Sequence, residues 1–129
     1  MAVKSAVGLV TDAKAQIENL SVEQVAEEVE AGAILVDVRD AEERDRAGAI
    51  PGAVHASRGM LEFYADPALP YYKSELDPDR RIILHCAAGG RSALAAVTLK
   101  QMGYPNVAHL EGGFTAWKEA GRPVAGGAS

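Results

Sequence analysis

The chain has 129 residues, with 13 lysines and arginines against 18 aspartates and glutamates, and it contains a single cysteine, Cys86. A chain of this length is typical of one domain and buries enough surface to form a hydrophobic core without cross-links. The single cysteine excludes an internal disulfide and a cysteine-rich zinc or iron–sulfur site. The net charge of −5 argues against a nucleic-acid partner, because such a partner requires a basic surface.

No targeting segment is recognisable in the sequence. The apolar segment 6–10 ends too early for a signal peptide, and no run approaches the roughly 20 apolar residues of a membrane span. We therefore expect a cytoplasmic protein with no membrane partner. Residues 1–14 show no clear periodicity and are expected to form a flexible N-terminal arm. Residues 15–124 are expected to form the domain, and residues 125–129 a flexible tail.

Predicted strands and helices alternate along the domain. Extended or apolar runs predict strands at residues 17–20, 33–38, 53–56, 82–85 and 107–110. Caps, helical spacing and glycine stops predict helices that begin at Ser21 and Asp40 or span residues 58–64, 92–102 and 114–120. This alternation predicts an α/β fold, in which a mostly parallel central sheet of about five strands carries helices on both faces.

The predicted sheet brings distant segments to one edge, because ligands of an open parallel sheet bind outside the carboxyl ends of its strands. The ends of four predicted strands supply the segments 37–40, 57–58, 86–91 and 111–113. We expect these segments to lie close together. The glycine pair Gly112 and Gly113 is expected to let its segment approach the loop at 86–91 without side-chain collision.

The most informative of these segments begins at Cys86 and ends at Arg91, where a helix is predicted to start. Small residues fill it and a serine follows: Ala87, Ala88, Gly89, Gly90 and then Ser92. Such a loop can curl so that its N–H groups and the helix N-terminus point at one spot, where Arg91 adds a positive charge. This environment favours a nucleophilic thiolate at Cys86. A buried cysteine beside a helix cap is the simpler alternative.

With these residues in view, the sequence resembles the single-domain rhodanese (thiosulfate sulfurtransferase-like) family over roughly residues 17–124. The matching segments are 34–39, 50–53, 86–92 and 111–113, together with Ala116 and Trp117. One departure is Ala49, which stands where many members carry the histidine of Gly-His-Ile-Pro-Gly-Ala. Because that histidine is not the nucleophile, this change leaves the implied reaction intact.

The resemblance implies a sulfurtransferase in which Cys86 takes a sulfane sulfur from thiosulfate or a persulfide and passes it to cyanide or a thiol. Cys86 and Arg91 would be catalytic, and residues 87–90 with Ser92 and Arg58 would bind the donor. The implied partners are a small anionic sulfur donor and an external thiol or cyanide acceptor, which could be a protein. No cofactor and no metal are implied.

Loop length separates this chemistry from a related one. Four residues lie between Cys86 and Arg91, whereas phosphatases of the same fold have one residue more. A narrower ring of N–H groups suits a sulfur atom and a wider ring suits a phosphate, so the count favours sulfur transfer. Two alternatives stay open: a phosphatase or arsenate reductase, and a persulfide carrier or binding module that serves a partner enzyme.

Several charged residues have two interpretations each. Asp37 and Arg39 end a predicted strand at this edge, and both are expected to support the site from behind the loop. Asp37 could accept hydrogen bonds from the loop or Arg91, or could form a buried ion pair with a nearby arginine that only holds the fold. Arg58 follows a strand end and could attract an anionic donor, or could be a solvated residue at a helix start. His85 is expected to point away from Cys86, because adjacent strand residues face opposite sides.

The remaining histidines, His55 and His109, are isolated and lack the spacing of metal ligands. We therefore expect no metal site.

Overall fold

The computed structural model describes residues 2–127 and contains a five-stranded sheet of order β1-β5-β4-β2-β3. The strands are β1 (Glu18–Leu20), β2 (Ile34–Asp37), β3 (Val54–His55), β4 (Ile82–His85) and β5 (Val107–Leu110). All four strand pairs are parallel. The helices are α1 (Ala6–Lys14), α2 (Val22–Glu30), α3 (Ala41–Ala47), α4 (Leu61–Tyr64, after a 3₁₀ turn at Arg58–Met60), α5 (Gly90–Gln101) and α6 (Gly113–Glu119).

Helices cover both faces of the sheet, because the central strands are apolar on both sides. Along β4, Leu84 packs into a cluster with Leu61 of α4 and Leu99 of α5. The neighbouring Ile83 packs into a second cluster with Val25 of α2 and Trp117 of α6. This alternation follows from the two-residue period of a strand. The predicted fold class, a mostly parallel α/β sheet with helices on both faces, is confirmed.

The N-terminal segment is a helix, so the expectation of a flexible arm at residues 1–14 is wrong for Ala6–Lys14. The Ser5 hydroxyl accepts a hydrogen bond from the N–H of Gly8 and caps α1. Ala13 is buried and α1 packs against α5. The sequence showed no helical period because the large apolar residues Val7 and Leu9 are 77% and 45% exposed, while the buried position is an alanine.

The C-terminal segment is also partly ordered, which corrects the expected tail at residues 125–129. Ala125 pairs with Ala49 in an antiparallel bridge, through N–H···O distances of 2.9 and 2.8 Å. Residues 128 and 129 of that predicted tail, like Met1 of the predicted arm, lie outside the described residues.

Element boundaries agree with the predictions to within a few residues, and one difference bears on the site. Helix α5 begins at Gly90 rather than at Ser92, so that Arg91 and Ser92 lie in its first turn. The strand predicted at residues 53–56 is the two-residue edge strand β3. Within residues 2–127, no helix combines the length and the apolar character needed to cross a bilayer.

Candidate active site

The loop after β4 curls around the sulfur of Cys86, a residue that is only 1% exposed. Its Sγ accepts hydrogen bonds from the N–H of Gly89 at 3.1 Å and from the N–H of Ser92 at 3.4 Å. Gly89 adopts a φ of 110°, a left-handed conformation that favours glycine and turns its N–H inward. The loop and the first turn of α5 therefore form a ring of donors around one sulfur atom, as the small residues predicted.

The pKa of the Cys86 thiol reflects two opposing influences. Burial raises it, while hydrogen bonds to the sulfur lower it: one from the Ser92 hydroxyl whenever its proton faces the sulfur, and others from the backbone N–H groups of Ser92, Gly89 and Ala88. The donors prevail, so the pKa of Cys86 lies below its ordinary value. A thiol in such a site ionises more readily than a free cysteine and is a better candidate nucleophile.

The outer carbonyls of the loop are held by the N-terminus of α6. The N–H of Phe114 donates to the carbonyl of Cys86 at 2.8 Å, and the N–H of Thr115 donates to that of Ala87 at 3.0 Å. This approach requires Gly113, because a Cβ atom there would lie 2.6 Å from both carbonyl oxygens. The expected role of the glycine pair is thus confirmed for Gly113.

Arg91 is paired with a carboxylate that the sequence analysis did not place in the site. Its two terminal nitrogens lie 2.7 and 2.8 Å from the oxygens of Glu43, at the start of α3. Glu43 also accepts a hydrogen bond from the N–H of Asp40 at 2.9 Å. The hydrogen bonds of the Arg91 guanidinium lower the pKa of Glu43, burial opposes them, and the backbone hydrogen bond from Asp40 lowers it further. The resulting pKa of Glu43 is about 2. The sequence did carry a signal for Glu43: the capping-box spacing of Asp40 and Glu43 places both residues at the start of a helix next to a strand end, and so at the edge of the sheet.

Asp37 does not reach the loop or Arg91, so that interpretation is wrong. Its carboxylate bonds Arg39 at 2.9 Å and Arg44 at 3.1 Å, both distances measured to Oδ2. This is the buried ion pair of the second interpretation. Burial raises the pKa of Asp37 and the hydrogen bonds of Arg39 lower it, with a lowered pKa as the result. Arg39 supports the loop indirectly, since its guanidinium lies 4.2 Å from the ring centre of Phe114.

Arg58 is not brought to Cys86 either. Its guanidinium donates to Glu62 at 3.0 Å and to the Thr98 hydroxyl at 3.2 Å. Thr98 lies about 10 Å along α5 from Arg91 at the rise of an α-helix. The expectation that Arg58 binds the donor is therefore not supported, because the turn after β3 directs its side chain along α5.

His85 points away from Cys86, as the strand period predicts. Its ring stacks on Phe114 with 6.5 Å between centroids, and Phe114 belongs to the core cluster on the opposite face from Cys86. Its Nδ1 lies 3.1 Å from the Cys86 carbonyl and its Nε2 lies 3.6 Å from Asp37. Burial lowers the pKa of His85 and favours the neutral ring.

His109 was missed by the sequence analysis and adjoins the loop. Its Nδ1 lies 2.9 Å from the Ser92 hydroxyl oxygen, and that oxygen is 3.5 Å from the Cys86 sulfur. The sequence carried no signal for this contact, because it depends on strand register: His109 pairs with Leu84, which lies two residues before Cys86 and so shares its face. Across residues 2–127, no group of three acidic, histidine or cysteine side chains is arranged to hold a metal ion.

Comparison with known proteins gives consistent results. The model of the rhodanese-like domain family matches residues 21–120. A sulfurtransferase of Allochromatium vinosum is 34% identical over 91 residues, which cover 70% of this chain and 77% of that protein. Thiosulfate sulfurtransferase GlpE of Shewanella oneidensis is 34% identical over 104 residues, which cover 80% of this chain and 94% of that protein.

Solved structures show the same fold. A Rhodopseudomonas palustris protein, described as of unknown function and a possible tyrosine phosphatase, superposes with a TM-score of 0.89 at 40% identity, over 96% of each chain. The polysulfide-sulfur transferase homodimer of Wolinella succinogenes gives a TM-score of 0.74 at 33% identity, over 90% of this chain and 83% of that one. The family model matches residues 21–120, and the parallel sheet and the curled cysteine loop agree with that match. The chain belongs to the rhodanese-like domain family.

Proposed function

We propose that the protein is a sulfurtransferase that carries a sulfane sulfur on Cys86, from thiosulfate or a persulfide donor to cyanide or a thiol. The observation that carries this proposal is the six-residue loop from Cys86 to Arg91, whose N–H groups converge on one sulfur atom. The sulfurtransferase names of two relatives at 34% identity support it. A reduced single thiol suits the cytoplasm, where we expect the reaction to occur.

In the first step the Cys86 thiolate attacks the outer sulfur of thiosulfate. A new S–S bond forms at Sγ, the S–S bond of thiosulfate breaks, and sulfite leaves with the electron pair of that bond. The lowered pKa of Cys86 favours the thiolate that this step requires. No external oxidant or reductant is needed, because one S–S bond forms as another breaks and the oxidation state of the transferred sulfur does not change.

Arg91 is the group that orients the anionic donor in this proposal. Its guanidinium is held by Glu43 through two short hydrogen bonds, and its side chain is 38% exposed. A donor anion therefore competes with a carboxylate for the same cation. This competition favours dianionic donors such as thiosulfate over singly charged ones, because the dianion interacts more strongly with the guanidinium.

In the second step an acceptor nucleophile attacks the outer sulfur of the persulfide. The Sγ–S bond breaks, its electron pair returns to Sγ as the thiolate, and cyanide leaves as thiocyanate or a thiol leaves as a persulfide. Because Cys86 is the single cysteine of the chain, no second thiol of the same chain can take the sulfur. The acceptor must therefore be an external molecule.

A phosphatase is the second candidate, because a structure 40% identical to this chain is described as a possible tyrosine phosphatase. The four residues between Cys86 and Arg91 count against it, since a shorter ring leaves less room for a phosphate. A persulfide carrier is a third candidate, and it would load sulfur but turn over slowly with cyanide.

The deciding experiment is intact mass spectrometry after incubation with thiosulfate. We expect the wild-type protein to gain one sulfur atom, to lose it on addition of cyanide with release of thiocyanate, and the Cys86→Ser protein to gain nothing. Loading without cyanide turnover would indicate a carrier. Hydrolysis of an aryl phosphate, with no sulfur gain from thiosulfate, polysulfide or a low-molecular-weight persulfide, would refute the proposal in favour of a phosphatase.

A further inference from the structure

The hydroxyl of Ser92 has one proton and three possible acceptors. Its oxygen lies 2.9 Å from His109 Nδ1, 3.4 Å from the carbonyl of Gly89 and 3.5 Å from the Cys86 sulfur. Ser92 is fully buried, so these three groups are the acceptors that the protein offers to its hydroxyl. A hydroxyl donates to one acceptor at a time, and its direction therefore decides whether Cys86 receives a side-chain hydrogen bond.

The tautomer of His109 follows from its other nitrogen. Nε2 lies 2.8 Å from the amide oxygen of Asn19 and 3.4 Å from a carboxylate oxygen of Glu111, both of which only accept hydrogen bonds. The Asn19 amide is fixed in this orientation because its nitrogen donates to the carbonyls of Lys14 and Ile17, at 2.9 and 3.2 Å. Nε2 therefore carries the proton, and Nδ1 of the neutral ring presents a lone pair to Ser92.

We propose that His109 is a positioning residue for Cys86. His109 accepts the hydrogen bond of the Ser92 hydroxyl, and it thereby withholds one hydrogen-bond donor from the Cys86 thiolate. The thiolate is then held by the backbone N–H groups of Gly89 and Ser92. A thiolate with fewer donors is less stabilised and more nucleophilic, since nucleophilicity falls as the thiol pKa falls. This inference rests on the proposed function in one respect, that it takes the Cys86 thiol as the nucleophile.

The surroundings of His109 favour its neutral form. Burial lowers the pKa of His109, the carboxylate of Glu111 opposes that effect, and the ammonium of Lys14 adds to it. Lys14, at the end of α1, is itself paired with Glu111 at 2.6 Å. The groups that face His109 thus come from α1, β1, α5 and the segment after β5.

Protonation of His109 reverses the arrangement. An imidazolium donates from Nδ1 to the Ser92 oxygen, and the hydroxyl proton is then free to face the Cys86 sulfur. The positive charge of Arg91 also interacts favourably with the thiolate. The charged ring and the thiolate therefore stabilise each other through Ser92. The two ionisations are coupled, so neither group titrates independently of the other.

Titration of the thiol by its ultraviolet absorbance tests this proposal, because Cys86 is the single cysteine and the Cys86→Ser protein supplies the background from the tyrosines. Replacing His109 with leucine frees the Ser92 hydroxyl to donate to the thiolate. We expect the pKa of Cys86 to fall by about one to two units in His109→Leu, the value of one hydrogen bond to a charged group. The control His55→Leu, on the far edge strand β3, is expected to leave that pKa unchanged.

A double-mutant cycle assigns the effect to Ser92. Ser92→Ala alone is expected to change the thiol pKa little, whereas Ser92→Ala in the His109→Leu protein should raise it again by about one to two units. A thiol pKa that is unchanged or raised in His109→Leu, or an equal fall with and without the Ser92 hydroxyl, would overturn the proposal. These titrations use no sulfur donor, so their failure is distinguishable from failure of sulfur transfer.

A measurement on the wild-type protein keeps the proposal testable if His109→Leu does not fold. Nitrogen-15 NMR of the histidine side chains reports which ring nitrogen carries the proton. We expect His109 at neutral pH to be protonated at Nε2, with Nδ1 unprotonated and hydrogen-bonded. A proton on Nδ1 at neutral pH, either as the other tautomer or as the imidazolium, would contradict the assigned direction of the Ser92 hydroxyl.

Discussion

Gly113→Ala is expected to destabilise the protein by considerably more than the strain of a left-handed alanine. Gly113 has a φ of 59°, and an alanine in that region costs roughly 1–2 kcal/mol. The new methyl group would also lie 2.6 Å from the carbonyl oxygens of Cys86 and Ala87. To relieve that contact, α6 must move away and weaken the two hydrogen bonds that Phe114 and Thr115 donate to those carbonyls, which adds about 2 kcal/mol.

Gly121, just beyond the end of α6, provides the matched control. It has a φ of 76°, and nothing lies within 4 Å of the position of its Cβ. Gly121→Ala therefore carries the backbone strain without the collision, and its expected cost is roughly 1–2 kcal/mol. The difference between the two variants isolates the close approach of α6 to the cysteine loop.

Urea unfolding followed by circular dichroism measures this difference. With a slope of about 2 kcal/mol per molar urea, the extra loss of about 2 kcal/mol in Gly113→Ala lowers the midpoint by about 1 M relative to Gly121→Ala. Thiol titration gives a second readout: the displaced loop loses donors to the sulfur, so the pKa of Cys86 should rise in Gly113→Ala alone. Equal midpoints for the two variants would refute the reasoning that Gly113 is required by contact with the loop.

Further predictions concern the charged residues. Arg91→Ala should raise the KM for thiosulfate by about ten- to a hundredfold, whereas Arg58→Ala should change that KM less than about twofold. Steady-state kinetics measures both values, and similar effects of the two substitutions would contradict the site as described. Because the folded-state pKa of Glu43 is about 2 against an ordinary 4.5, its contribution to stability is present above pH 4.5 and is lost as the pH falls towards 2. Urea midpoints across that range should therefore depend less on pH in Glu43→Gln, and an unchanged dependence would show that other groups cause it. Asp37→Ala leaves the buried Arg39 without its counter-ion and should cost about 3–5 kcal/mol in urea unfolding, so a loss below about 1 kcal/mol would argue against the ion pair as a determinant of stability.

The strands and the cysteine loop were predictable from the sequence because their signals are local. The run around Val36 and the run from Ile82 to Leu84 are continuously apolar, which is typical of strands buried on both faces of a parallel sheet. Small residues after a buried strand and before a helix likewise predict a curled loop. The position of Cys86 at the carboxyl edge of the sheet followed from these two signals.

The partners of the loop were not predictable, because they depend on contacts between distant segments. His109 reaches Ser92 only through the register of β5 against β4, and a single sequence does not give that register. Arg58 follows a strand end, but the 3₁₀ turn directs it to Thr98 instead of to the loop. Helix α1 lacked a helical pattern, because an alanine, rather than its larger apolar residues, is buried against the domain.

The first helix and the first strand precede the residues that the family model matches, yet they surround His109. The residues matched by the rhodanese-like model are 21–120, whereas Lys14 and Asn19, which surround His109, precede them. A fragment trimmed to the matched residues would keep Cys86, Ser92 and His109 but lose the amide that orients the imidazole. Excision or grafting of this module into another protein should therefore include α1 and β1, if the thiol is to keep its native chemistry.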